Sequence, residues 1–414
     1  MASMRKVVGI GMMGLGLQIL PAQEPLGGLE PLFHASLDYF DDLQRTEEGY
    51  YRDAFVLNST KGGKSNKFCS SAAVGVGLVA LCIDHELGRD PHAKQKALET
   101  IKALKRVERD ATGFLRHFFQ SDTGTSQSEF STIDTAIMTA GVLACRNTFA
   151  DPELRREADQ FWNSIKWESA LATDDGRKLF MVMEEGNGAK PTQLFNEYFL
   201  LADLIRAYQV ARSGKSKVIA TEQLPSWTKG AHRILSEPRR TPLSSFTVQF
   251  PFYLSHEGIT NEHYRMFCLA QARADQETLT KKTGQAHLWG CGAGGGPSGG
   301  YRADTFAENP DLMISPHIIA GFLPVASEAQ LHLLKIYRNP TYRVKTPVGE
   351  LLPRFSVKKP DWRARRIEAI DYSSMVFGLA AIHPELGMEF FRKITSMTFK
   401  TIRSIERRSS GCCG

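Results

Sequence analysis

The segment from residue 193 to 212 limits the fold more than any other part of this sequence. Leu194, Phe195, Tyr198, Phe199, Leu200, Leu201, Leu204 and Ile205 leave it apolar on nearly every side. A helix of that kind lies inside other helices and not on a surface. Helical periodicity also runs through 29–46, 69–87, 93–107, 131–147, 151–166, 226–235, 261–276, 327–337, 373–382 and 386–406. Strand-like alternation is rare, and Leu243 to Leu254 is its best extended candidate. Roughly a dozen helices with no strand–helix–strand rhythm predict an all-α architecture. The alternation of buried and half-buried helices suggests concentric rings, an α/α barrel.

The chain has 414 residues, enough for one large domain or two ordinary ones. No linker rich in Pro, Gly or Ser divides it, so we read one catalytic domain over 24–408 and a flexible tail over 409–414. The first 23 residues read as a signal peptide. Arg5 and Lys6 precede an apolar run from Val7 to Leu20, and Pro21-Ala22-Gln23 offers a cleavage zone. That run is too short for a comfortable membrane span, and no second one is longer. A secreted or periplasmic protein is expected. Net charge is only +6. The basic run Arg363 to Arg366 and the tail Arg403 to Arg408 read as solvated faces, and nothing else supports nucleic-acid binding. Seven cysteines have no metal-framework spacing, and Cys82 and Cys145 lie in apolar helical runs. Neither structural zinc nor an essential disulfide is expected.

Several polar residues need explaining. In Glu129-Phe-Ser-Thr-Ile-Asp134, Ser131 is a candidate N-cap and Asp134 can complete a capping box. Asn196 and Glu197 interrupt the apolar helix. Burial there would raise the Glu197 pKa, as a general acid near neutral pH requires, and a structural hydrogen bond is the alternative. Asp371 precedes the apolar run Met375 to Ile382, either as a helix cap or as a carboxylate at a barrel mouth. Arg52-Asp53 follows the first helix, and His117 and His256 sit among aromatics. Gly292 to Gly300 lies between Trp289 and Tyr301 like a binding loop. There is no HExxH, nucleophile elbow, P-loop or dinucleotide fingerprint, so neither a metal nor a cofactor is expected. Carboxylates with Trp, Tyr, His and Phe in loops suit sugars, because aromatic faces stack on pyranose rings.

The order of these segments resembles the glucoamylase-like α/α-barrel proteins, and among them the endo-β-1,2-glucanases of the glycoside hydrolase family 144 type. The likeness runs from about residue 35 to 383. It is carried by Tyr39-Phe40 with Gly49 and Arg52-Asp53, by Ser70 to Leu78, and by Gly113-Phe114 with His117-Phe118. It continues through Glu129 to Ala136, Phe195-Asn196-Glu197-Tyr198, Trp289-Gly290 to Tyr301, Ile314-Ser315-Pro316, Phe322-Leu323-Pro324 and Ile370-Asp371. The resemblance implies an (α/α)6 barrel with long active-site loops that hydrolyses β-1,2-glucan with inversion. It implies Glu197 as general acid and Asp371 as general base. On this reading Arg52, Asp53, His117, Glu129, Asp134, Tyr198, His256, Trp289 and Tyr301 bind substrate. Glu197, set in an apolar helix, is expected protonated, and Asp371, at a helix N-terminus, ionised. Inverting carboxyl pairs are typically about 6.5–9.5 Å apart.

The chain departs from the family at three places. Only Tyr253 and Ser255-His256 survive of the family's His-Gln to Trp-Ile-Asp-Phe-Arg segment. The aspartate of its Ser-Asp-Gly-Pro is missing from Gly294-Gly295-Gly296-Pro297, and Tyr372-Ser373-Ser374 stands for Gln-Gly-Pro. Transglycosylation, hydrolysis of another glucan and non-catalytic glucan binding therefore remain as rivals.

Overall fold

The computed structural model describes residues 26–57, 67–173, 176–193, 196–216 and 242–397. The expected signal peptide, the expected helix 226–235, residues 194–195 and 398–414 lie outside the described residues. Among the described residues there are thirteen α-helices: α1 (Glu30–Asp38), α2 (Ser71–Glu86), α3 (Ala93–Ala103), α4 (Thr132–Thr148), α5 (Pro152–Asn163), α6 (Phe199–Ser213), α7 (Phe246–Leu254), α8 (His256–Thr260), α9 (Glu262–Thr283), α10 (Pro316–Gly321), α11 (Ala329–Arg338), α12 (Ala369–Ile382) and α13 (Gly387–Ile394). None of them is long and apolar enough to cross a membrane.

Six of these helices touch in a cycle. α2 packs on α4, α4 on α6, α6 on α7, and α12 on both α10 and α2. The link from α7 to α10 is polar: Gln249 donates to the Ile318 carbonyl at 2.9 Å, and the Tyr253 hydroxyl to that of Gly321 at 2.8 Å. Contacts on both sides favour largely apolar surfaces; in α2, Ser71 through Asp84 are all buried. Others lie outside them, with α3 on α2, α5 on α4, α9 on α7 and α11 on α10. The amphipathic α5 shows why: it buries Leu154, Ala158, Phe161 and Trp162 along one stripe. The closest seam joins α2 and α4. A Cβ on Gly141 would lie 2.2 Å from the Gly75 carbonyl oxygen, so only glycine permits this approach.

Short antiparallel pairs fix the loops at the N-terminal ends of the inner helices. β1 (Ala54–Val56) pairs with β9 (Arg366–Glu368), matching Ala54 with Glu368. β2 (Phe68–Ser70) pairs with β3 (Phe118–Gln120), matching Ser70 with Phe118. β4 (Phe130–Ser131), β5 (Lys178–Glu184) and β6 (Asn187–Gln193) make a three-stranded sheet. β7 (Ala293–Gly295) and β8 (Tyr301–Ala303) form a hairpin.

Two expectations are corrected. Leu243 to Leu254 is not extended; Phe246–Leu254 is helical despite Pro251, and Val248, Phe250, Phe252, Tyr253 and Leu254 are all buried. Its aromatic and β-branched residues read as strand-like, but burial on all sides selects the helix. The helix expected over 193–212 begins only at Phe199. The Asn196 side chain accepts from Tyr198 N–H at 2.9 Å, a local turn that competes with helix and leaves Glu197 in front of α6.

Candidate active site

Asp134, Glu197 and Asp371 occupy corresponding places where loops enter α4, α6 and α12, although they are far apart in sequence. Each N-terminus presents free backbone N–H groups, which favour carboxylates. At α4, Ser131 Oγ accepts from Asp134 N–H at 3.3 Å and its hydroxyl donates to Asp134 Oδ2. Only half of the expected capping box is present, because Ser131 N–H bonds the Leu115 carbonyl instead. The free oxygen, Asp134 Oδ1, lies 3.6 Å from His117 Nε2, while His117 Nδ1 is 2.9 Å from Glu129 Oε1. The imidazole is stacked on Phe118 with 3.7 Å between ring centres. Burial lowers its pKa, but Asp134 and Glu129 outweigh burial and raise it. Burial opposes ionisation of Glu129, yet its hydrogen bonds, including that to His117, hold its pKa below the usual value.

Glu197 is partly open to solvent but enclosed by protein. Burial pushes it up to about 7, opposed by a backbone hydrogen bond and reinforced by the charge of Asp134. The next residue, Tyr198, is buried, and burial with the charges of Glu197, Asp134 and Glu129 raises its hydroxyl.

Asp371 is buried, and Tyr301 donates to its Oδ1 at 3.1 Å. Its Oδ2 has no protein hydrogen-bond partner. Burial and the charge of Glu368 push Asp371 up to about 8, against the pull of Arg354 and Tyr301. This corrects the expectation of an ionised Asp371, since burial among carboxylates exceeds what a helix N-terminus returns. Glu368 bonds Arg366 Nε at 3.0 Å and is itself raised by burial. Asp53 joins the two halves. Burial raises it, Arg366, a Ser70 hydrogen bond and His117 lower it, and Asp134 raises it. Its backbone carbonyl accepts from Ala369 N–H at 2.8 Å, which ties the first loop to the start of α12.

Three expected binding residues lie elsewhere. Trp289 is wholly buried, with its indole N–H on His332 at 3.1 Å and its ring stacked on Phe322, so it has no face for a sugar. Arg52 is buried and its Nη1 donates to the carbonyls of Leu43, Gln44 and Arg45; it clamps the chain beyond α1. His256 opens α8, which packs on α6 one turn or more below its start, where Arg206 bonds Glu257 at 2.6 Å, and on α13. Aromatic and charged residues in loops look alike in sequence whether they face a cleft or the core.

Sequence reading missed Arg354, Glu368 and His317. Arg354 is buried and bonds Ser315 at 3.1 Å and Asp304. The buried His317 is lowered to about 3 by burial and by Arg354, so it is neutral. A signal existed for one of them: Arg354 is a lone charge in Leu351-Leu352-Pro353-Arg354-Phe355. Among the described residues, no group of three or more His, Cys, Asp or Glu is arranged to hold a metal ion. Their five cysteines are free thiols.

A cleft of about 330 Å³ is walled by Tyr301, whose hydroxyl bonds Asp371, and by Trp362, Arg363, Arg365, Arg366 and Glu368. The carboxyl groups and the cleft thus share one end of the helix cycle.

No family model matches the sequence, and no curated protein matches it. Solved structures do. The fold is that of the endo-β-1,2-glucanases. An endo-β-1,2-glucanase from Chitinophaga pinensis, solved with sophorotriose and glucose, superposes with a TM-score of 0.74 at 16% identity, covering 94% of this chain and 98% of that one. A β-1,2-glucanase from Parabacteroides distasonis gives 0.70 at 15% identity, covering 90% of this chain and 60% of that one. A sugar epimerase from a ruminal bacterium gives 0.58 at 10% identity, covering 85% of this chain and 97% of that one.

Proposed function

We propose that the protein is an endo-acting glycoside hydrolase that cleaves β-1,2-glucan to sophorooligosaccharides with inversion. The observation that carries this reading is a pair of carboxyl groups poised for proton transfer near neutral pH. Glu197 stands at about 7 and Asp371 at about 8, each at the N-terminus of an inner helix, in a fold shared with β-1,2-glucanases. The closed cycle of six helices with others outside supports an (α/α)6 barrel formed by one domain over 24–408. An exported protein with residues 1–23 removed is the accompanying proposal, motivated by the Arg5-Lys6 and Val7 to Leu20 pattern; intact mass from the native host would read it directly.

In this mechanism Glu197 protonates the glycosidic oxygen and Asp371 takes a proton from the attacking water. Tyr301 holds Oδ1 of Asp371, which leaves Oδ2 for the proton. His117, Glu129, Asp134, Asp53 and Tyr198 hold sugar hydroxyls and tune the charge of the two groups. The competent form needs Glu197 protonated and Asp371 ionised, the reverse of their affinities. Burial raises both groups into the neutral range, so activity should follow a bell-shaped pH profile centred there.

The test is incubation of purified protein with linear β-1,2-glucan, followed by product analysis. Short sophorooligosaccharides with the α configuration formed first support the proposal. Lengthened or cyclic products would assign transfer instead, and intact polymer with measurable affinity would reduce the protein to a binder. The sugar epimerase of the same fold supplies a further control: epimerised sugar among the products would replace the hydrolytic reading.

A further inference from the structure

The basic run Arg363 to Arg366 reads as a solvated face in the sequence, yet the structure sets it along one wall of the 330 Å³ cleft. A solvated face would scatter its charges over convex surface. Here three arginines line a concavity with the half-buried Trp362 and the exposed ring of Tyr301, whose hydroxyl is bound to Asp371.

Their counter-charges are uneven. Arg366 is matched by Glu368 at 3.0 Å. Arg363 donates its Nε to the Thr341 carbonyl, a neutral partner. Arg365 is exposed and has no acidic partner among the described residues. The wall therefore carries more positive charge than the acid beside it cancels. The backbone that presents these side chains is fixed: Ala364 N–H bonds the Arg354 carbonyl at 2.8 Å, the Arg365 carbonyl accepts from Leu57 N–H at 2.8 Å, and Arg366 is paired in β9. Guanidinium groups on a fixed strand recognise planar or tetrahedral oxyanions in a forked geometry, and a concave, partly dry wall strengthens the attraction. Neutral glucan offers nothing to an uncompensated guanidinium beyond hydroxyl hydrogen bonds.

We infer that this cleft is a subsite for an anionic substituent, a carboxylate or a phosphodiester, carried by the glucan chain. Trp362 and Tyr301 supply faces for the sugar ring, and Arg365, with Arg363, binds the substituent. The natural substrate is then a charged glucan and not the bare polymer. This rests on the glucan-hydrolase reading above.

The experiment compares three substrates: linear β-1,2-glucan, the same glucan partly succinylated, and the same glucan bearing phosphodiester-linked glycerol. KM is measured for wild type and for Arg365→Ala and Arg365→Glu, at low salt and near 1 M sodium chloride. The expected result is a KM about tenfold lower for one or both anionic glucans than for the neutral one in wild type. That ratio falls to about one in Arg365→Glu, and also at about 1 M salt, where the Debye length is about 3 Å. Preference for the succinyl or the phosphodiester form identifies the substituent. An unchanged ratio in the variants, or equal KM values in wild type, overturns the inference. If no substrate is cleaved, calorimetric titration with the same three polymers still decides. Binding of an anionic polymer that depends on Arg365 keeps the inference and sinks the hydrolytic reading; equal or no binding sinks the inference.

Discussion

The bodies of the inner helices and their N-terminal mouths are built on opposite principles. Along the α2–α4 seam the chain offers almost nothing but small and apolar groups: Gly75 meets Gly141 backbone to backbone, and the Cys82 and Cys145 thiols sit 3.6 Å apart in the core. At the N-terminal ends of the same set of helices the chain crowds Asp53, Asp134, Glu197, Glu368 and Asp371 together and raises the pKa of four of them: Asp53, Glu197, Glu368 and Asp371. The seam is optimised for stability and the mouth is not. Carboxylates that are buried and only partly compensated would be removed by any selection for stability alone, so their presence marks where function sits.

The largest expected effect separates the two regions by chemistry. Glu197→Gln and Asp371→Asn are each expected to lower turnover of β-1,2-glucan by about 10²–10⁴-fold, the usual range for a lost general acid or base, with the fold intact by circular dichroism. An aryl β-glycoside with a good leaving group should restore much of the activity of Glu197→Gln and little of Asp371→Asn, because only the former lacks the proton donor. Rescue of the wrong variant would exchange the two roles.

The second effect is thermodynamic, and its sign follows from the direction of the shift. Burial pushes the pKa of Asp371 up to about 8 in the folded protein, against about 3.9 for a free aspartate. The folded state therefore holds a proton that the unfolded state has lost. Its contribution to stability is fully present below about pH 4 and is lost as pH rises through about 8. Asp371→Asn should accordingly melt higher than wild type at pH 9, by a few kcal/mol, and the gap should close toward pH 4. A variant less stable than wild type at pH 9 would mean that the ionised carboxylate is well held.

At the seam the expected result is the reverse, stability lost and chemistry kept. Gly141→Ala forces a methyl group against the Gly75 carbonyl and should cost about 1–3 kcal/mol, read by denaturant unfolding. Turnover per folded molecule should stay near normal. A fall in turnover with unchanged stability would show that the seam transmits strain to the mouth.

The sequence disclosed these two regions unequally. The inner helices were legible because a helix buried on all sides must be largely apolar, as α2 is and as α6 is from Phe199 to Ile205. Asp134, Glu197 and Asp371 were legible because each is a polar residue abutting such a helix. Burial in loops was not. Trp289, Arg52 and His256 belong to the same residue types as Tyr301 and Asp53, and only tertiary contacts decide which of them face the cleft. The helix Phe246–Leu254 was hidden for a related reason, since its β-branched and aromatic residues follow their neighbours and not their own propensity. The protonation of Asp371 depends on burial, on Glu368 three residues before it, and on Asp53, which comes close only through β1 pairing with β9, a contact between residues more than 300 apart in sequence. No local pattern carries that information.

The smallest expected effect tests the better compensated half of the mouth. His117 lies between Asp134 and Glu129, and Asp134 is the largest influence holding its pKa up against burial. Asp134→Asn removes that charge while an amide of the same size can still meet the Ser131 hydroxyl, so the cap that Ser131 gives to Asp134 N–H persists. The pKa of His117, followed by NMR of its ring protons, should fall in this variant. Stability should change by less than the roughly 1 kcal/mol that loss of an N-cap costs. Turnover should drop if Asp134 orders sugar hydroxyls or sustains the raised pKa of Glu197, to which its charge contributes. The matched control is Ser131→Ala, which deletes the cap and leaves the charge. It should cost about 1 kcal/mol and leave the His117 titration in place. If both variants lose stability equally and neither moves the His117 pKa, Asp134 is a helix cap, and the active mouth shrinks to Glu197, Asp371 and the residues around them.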